Sequence, residues 1–162
     1  MKIRFLGTGA ADWAEPVNGE FRALSSTLFD EKLLIDGTMM VRDRIAHPEK
    51  ITDMLLTHPH RDHFDLELIR SLAPIRVHVH ASWADRISGE GVEVVPFEYF
   101  ESFQAAGYLV VPMEANHLPE PHDEGAVHFV LQDGEKTVLY ATDGAWLLNR
   151  ARRLIGGLQL DA

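Results

Sequence analysis

Residues 58 to 63 read His-Pro-His-Arg-Asp-His, and they place four groups able to bind a metal within six positions: His58, His60, Asp62 and His63. Crowding imidazoles and a carboxylate so closely costs desolvation and repulsion that a core gains nothing from. A transition metal reverses that cost, because the same groups give lone pairs to a cation placed between them. Pro59 pushes His58 into extended backbone, so His60 projects from the same loop and the two can share one ion. Asp62 and His63 lie further round the turn and face a second ion more naturally than the first. The competing reading is a polar turn that happens to be rich in histidine.

The elements that must position this cluster follow from hydrophobic patterning. Met54, Leu55 and Leu56 are short enough for a buried strand leading into it. Thr-His-Pro-His-Arg-Asp-His resembles the His-x-His-x-Asp-His motif of the metallo-β-lactamase superfamily, whose members are mostly metal-dependent hydrolases. That resemblance implies an α/β (α+β) chain folded as an αββα sandwich, and a single domain over residues 1–162. It says little about substrate, because one fold hosts many chemistries.

Composition narrows the function. The 162 residues carry 46% hydrophobic side chains and no run near the ~20 apolar residues of a membrane span, so a soluble, cytoplasmic protein is expected. No cysteine is present, which leaves imidazole and carboxylate as metal ligands and favours Zn2+, with Mn2+ or Fe as alternatives. A net charge of −10 argues against an extended nucleic-acid surface but leaves room for a small anionic substrate beside bound cations.

Along the chain, Lys2 to Leu6 alternates as a first strand should, and Gly7-Thr8-Gly9-Ala10 breaks it. A dinucleotide-binding loop would need glycine at position 12, where Asp stands, so a plain turn or a substrate-side loop fits better. Phe-Leu-Gly-Thr-Gly also resembles the opening of phosphodiesterase-like superfamily members. Ser26–Asp30 and Lys32–Asp36 form a hairpin. Thr38–Ala46 reads as a helix capped by Thr38, with Met39, Met40 and Ile45 for packing, and His47 sits at its end. Asp36 is either a turn residue or an acceptor for the outer N–H of a ligand histidine. Leu66–Leu72 is a short helix stopped by Pro74. Arg76–His80 is a strand whose His78 and His80 form its polar face, Ala81–Ile87 is helical, and Val92–Phe97 and Gly107–Met113 are strands.

His117 follows that last strand and is placed to complete a tripod with His58 and His60, an assignment the resemblance also implies; a surface histidine is the alternative. His122, in a proline-rich loop, is either a substrate contact or solvated. His128 has a structural role within Ala126–Gln132. Asp133-Gly134 turns that strand into Thr137–Ala141, whose end carries Asp143. Asp143 looks like the superfamily's bridging aspartate, one carboxylate shared by two cations; an ordinary turn aspartate is the alternative.

From Trp146 the pattern is helical through about Leu154, and Leu158–Leu160 starts another strand. The resemblance implies further elements and one last ligand histidine, yet no histidine follows His128, so a C-terminally shortened domain with one or two ions is expected. Exposed apolar surface would then favour a homo-oligomer. The leading expectation is a hydrolase using metal-activated water on a small phosphodiester, with Asp62 orienting the nucleophile and taking its proton. A lactone, amide or thioester hydrolase of the same fold, or a catalytically silent metal-binding remnant, are the alternatives.

Overall fold

The computed structural model describes residues 1–10, 22–117 and 124–162. His122 therefore lies outside the described residues. Two sheets stack face to face. The first has six strands in the order β1 (Ile3–Gly7), β2 (Ser26–Phe29), β3 (Leu33–Ile35), β4 (Asp53–Leu55), β5 (Ile75–His80) and β6 (Val92–Phe97). The second has four, β10 (Thr137–Tyr140), β9 (Val127–Gln132), β8 (Tyr108–Glu114) and β7 (Phe103–Ala105), all antiparallel. In the first sheet β1 to β3 run antiparallel, whereas β3 to β6 are parallel.

Alternation sorts side chains into layers, because successive residues of a strand point to opposite faces. Phe29, Leu33, Ile35 and Leu55 point inward onto Tyr108, Val110, Phe129 and Leu131 and form the core between the sheets. Leu28, Leu34, Met54, Val77 and Val79 point outward and are covered by Val41, Ile45, Leu68, Ile69 and Trp83. A smaller layer on the far side of the second sheet joins Met113 and Val130 to Ala151 of helix α2 (Asn149–Ile155). The result is the αββα arrangement that the histidine motif implies.

Several expectations change in detail. The segment after Thr38 is a 3-10 helix over Met39–Arg44, and Thr38 supplies no side-chain cap; Asp65 caps it instead, its Oδ2 accepting the Met39 N–H at 2.9 Å. So short a segment gains little from α-helical nucleation. Only Val41 and Ile45 reach the core, and Met39 and Met40 face solvent. Ala81–Arg86 is likewise 3-10. Helix α1 (Leu66–Ser71) begins at Asp65, whose side chain accepts from the Glu67 N–H.

His78 and His80 share one face, but that face is buried between the sheets rather than solvated. His78 pairs with Asp53 at 2.8 Å and stacks on Phe103, and His80 contacts Ser82 at 2.8 Å. Residues 158–160 form no strand; the last two residues hydrogen-bond to β10, through Leu139 N–H to Ala162 O and Asp161 N–H to Thr137 O. No helix among the described residues is long and apolar enough to cross a membrane.

Gly7 and Gly9 serve a backbone contact rather than a phosphate loop. A Cβ at Gly7 would lie 1.9 Å from the Leu24 carbonyl oxygen, and Gly9 bridges Leu24 directly. Because β1 pairs antiparallel with β2, the opening is not a dinucleotide-binding unit, whose first strand needs parallel neighbours.

Candidate metal centre

Parallel strands β3 and β4 end side by side, and ligands in such sheets gather beyond the carboxyl ends of the strands. Asp36 ends β3 with φ 52°, an unusual left-handed turn for a residue other than glycine, and it is fully buried. Its carboxylate accepts the Thr57 N–H (2.8 Å), the Thr57 hydroxyl (2.6 Å) and His63 Nδ1–H (2.8 Å). One side chain thus ties the end of β4 to the turn that follows.

Tautomers follow from this network. The single proton of the Thr57 hydroxyl goes to Asp36, so Thr57 Oγ1 accepts from His58 Nδ1 at 2.9 Å. His58 Nε2 is left with a lone pair facing the cluster. His63 donates from both ring nitrogens, Nδ1–H to Asp36 and Nε2–H to Asp143 at 3.0 Å. The turn itself is closed by His63 N–H and Phe64 N–H bonds to the His60 carbonyl, both 2.9 Å.

The second sheet contributes from the opposite side. His117 follows β8, where Ala115 N–H bonds Ala126 O at 2.9 Å. Asp143 follows β10 in another positive-φ turn, φ 48°. His128, on β9, holds that turn: its Nε2 donates to Thr142 O at 2.9 Å, and its ring packs so close to Gly144 that a Cβ there would lie 2.8 Å from Cε1. His128 thus acts through the Asp143 turn. Its spacing along the sequence carries no hint of this, because the partner sits across a strand pair.

Two overlapping donor sets result. His58, His60 and His117 form one, and His58, His63 and Asp143 form the other, each with its donor atoms within 4.8 Å of one another. His60 Nδ1 lies 3.1 Å from both His58 Nε2 and His117 Nε2. Three nitrogens around a tetrahedral zinc at its usual bond length stand ~3.3 Å apart, so the first set fits such an ion. Asp143 Oδ2 reaches His58 Nε2 at 3.4 Å and His63 Nε2 at 3.0 Å, between the two sets. Asp62 belongs to neither; its Oδ2 lies 3.5 Å from His63 Nε2 and its side chain is buried.

The electrostatics treat the histidines unequally. Burial, with His63 and His117 nearby, pushes His58 down to about 2, so it is a neutral donor at any ordinary pH. Burial and His60 also lower His117. His63 goes the other way: burial opposes its charge, but hydrogen bonds to Asp143 and Asp36 outweigh that and raise it to about 10. The hydrogen bond from His63 holds Asp143 down at about 2. His47 is remote from the cluster and pairs with Glu49 at 3.3 Å.

Comparison with known proteins identifies the family and the fold. A family model described as the beta-lactamase superfamily domain matches residues 27–160. No curated protein matches the chain. Among solved structures, Zn(2+)-bound PqqB from Methylobacterium extorquens superimposes with TM-score 0.75 at 16% identity, covering 96% of this chain and 69% of that one. A diphosphatase from the PhnP family gives TM-score 0.70 at 19% identity, covering 96% and 70%. The metallo-beta-lactamase fold protein YhfI from Bacillus subtilis gives 0.68 at 16% identity, covering 86% of this chain but 61% of its own length. These structures share the fold, and the match over most of the sequence places the chain in the beta-lactamase superfamily, with the metallo-β-lactamase fold.

Proposed function

We propose that the chain is a metal-dependent hydrolase acting on small phosphodiesters. The observation that carries this reading is the pair of donor sets joined at His58 and spanned by Asp143. His58, His60 and His117 would hold one ion; because His58 has a single free lone pair to give, a second ion would rest on His63 and Asp62, with Asp143 between the two. Zinc, manganese or iron bound there would supply Lewis acidity and a water acidic enough to ionise near pH ~7.

The chain's own residues do the rest. Asp62, buried beside His63, is placed to orient the attacking water and accept its proton. Asp36 and Thr57 fix the imidazole orientations, so His58 Nε2 presents its lone pair inward, while His63 Nε2 would give up the proton it shares with Asp143 when an ion binds. His128 holds the Asp143 turn in register with His58 and His63. A phosphodiester suits two adjacent cations, which clamp its non-bridging oxygens. The Phe-Leu-Gly-Thr-Gly opening, which resembles that of phosphodiesterase-like superfamily members, supports the same substrate class.

The test is reconstitution with Zn2+ or Mn2+, followed by the metal-to-chain ratio and turnover of bis(p-nitrophenyl) phosphate and p-nitrophenyl acetate. One or two tightly held ions and faster phosphodiester turnover are expected. His58→Ala, which removes a nitrogen from the three-histidine set, should lose tight binding at that set. Asp62→Asn should keep the metal and slow turnover by about 10²–10⁴-fold. Retained stoichiometry in His58→Ala refutes the ligand assignment, and preference for the acetate moves the substrate class to carbonyl esters.

A further inference from the structure

Beyond Asp143 the chain changes electrical sign. The whole sequence carries −10, yet residues 144–160 contain Arg150, Arg152 and Arg153 and no carboxylate. Arg150 is engaged, its guanidinium lying 3.9 Å from the centroid of the Phe100 ring. Arg152 and Arg153, on α2, have no side-chain hydrogen bond or ion pair among the described residues. In a protein rich in carboxylates, two unengaged guanidinium groups on adjacent positions form a local site for an anion.

The same stretch exposes an aromatic ring. Trp146 is 65% exposed, against complete burial of Trp83. It lines a cleft of about 520 Å³ with Leu147, Leu148, Asn149 and Arg152. A second cleft of about 410 Å³ is lined by Asn149, Arg152 and Arg153, so the two share residues and run on from indole to guanidinium. The groove residues follow the metal donors closely along the chain. Trp146 is three residues after Asp143, and Leu147 bridges Ala115, two residues before His117.

We propose that this groove is a second foothold for substrate, built for a nucleotide: a base stacks on Trp146 while a terminal phosphate is held by Arg152 and Arg153. Resting on the phosphodiesterase reading, it places the scissile phosphodiester at the donor cluster and the rest of the ligand along α2. Flat bases stack on indole whatever their hydrogen-bonding edge, so the groove selects a nucleotide with an extra phosphate rather than a particular base.

Two dinucleotides test it by calorimetry on the full chain without added metal. They are ApA, which has one phosphodiester, and pApA, which adds a 5′-phosphate. pApA should bind about tenfold more tightly than ApA, and Arg152→Ala combined with Arg153→Ala should erase that difference while leaving ApA unchanged. Trp146→Ala should weaken both about tenfold, and Trp146→Phe should restore most of the loss. Equal binding of the two ligands, indifference to Trp146→Ala, or a concentration-dependent dimer that Trp146→Ala dissolves would overturn the proposal, the last by assigning the groove to a second copy of the chain. Turnover of bis(p-nitrophenyl) phosphate by the metal-loaded protein separates the two ideas. Intact pApA discrimination without turnover sinks the hydrolase reading alone, and turnover without discrimination sinks the groove alone.

Discussion

Asp36 carries more of the centre than its distance from any donor set suggests. Its two oxygens accept from Thr57 N–H, the Thr57 hydroxyl and His63 Nδ1, and through Thr57 they also set the His58 tautomer. Asp36→Asn replaces one acceptor oxygen with a donor, leaving buried N–H or O–H groups unsatisfied. Metal affinity should fall about 10–100-fold, measured by competition with a chelating dye. Stability should fall by about 1–3 kcal/mol in a urea titration. At this scale the sequence was readable where chemistry is local: His58, His60 and His63 crowd one turn, and their convergence could be argued from spacing alone. Asp36 stayed ambiguous because a turn aspartate and a histidine orienter look alike until the two strand ends are set side by side. Thr57 and His128 had no signal, since their roles depend on a proton count and on a carbonyl 14 residues away.

Strand β1 depends on a close approach that a single methyl group would spoil. At Gly7 an added Cβ would overlap the Leu24 carbonyl oxygen, a backbone atom with no rotamer to move into. Gly7→Ala should cost about 1–3 kcal/mol, seen as a lower denaturant midpoint with little change in slope. Glycine here could be read from the sequence only as a break in a strand. The long parallel strands were the easiest elements to recognise, because β5 alternates apolar with polar residues and β6 is rich in valine, each bounded by turns. The three-residue β7 escaped notice, being too short to show alternation. The stretch after Thr38 misled because Met39 and Met40 are apolar, yet consecutive residues of a short 3-10 helix cannot both face one layer.

Across the whole molecule, the floor of the sandwich opposite the metal donors is closed by a charge network. Asp53, fully buried on β4, meets His78 Nε2 (2.8 Å), Arg76 (2.9 Å), the Thr52 hydroxyl (2.7 Å) and the Ala106 N–H (3.1 Å). Burial alone would raise its pKa, but the hydrogen bonds from His78, Thr52 and Arg76 outweigh burial and hold it at about 2. The folded state therefore favours the carboxylate, so this contribution is fully present above pH ~4 and is lost as pH falls toward ~2. Asp53→Asn should be less stable than the parent at neutral pH, and the gap should narrow in thermal melts between pH 4 and pH 2. A constant gap would show that the charge at Asp53 is not what the network uses. Layering was readable from alternation, but this network was not, because His78 on its strand looks like any solvent-facing residue.

His58, His60 and His63 hang from one sheet, and His117 and Asp143 hang from the other. A cation seated among them would rivet the two halves of the sandwich together at one edge. Since it would bind only the assembled halves, free metal at 100 times its dissociation constant should strengthen the fold by about 2.7 kcal/mol. EDTA should lower the melting temperature accordingly, and amide exchange should quicken first in β8 and β10, the strands that carry the detachable half of the rivet.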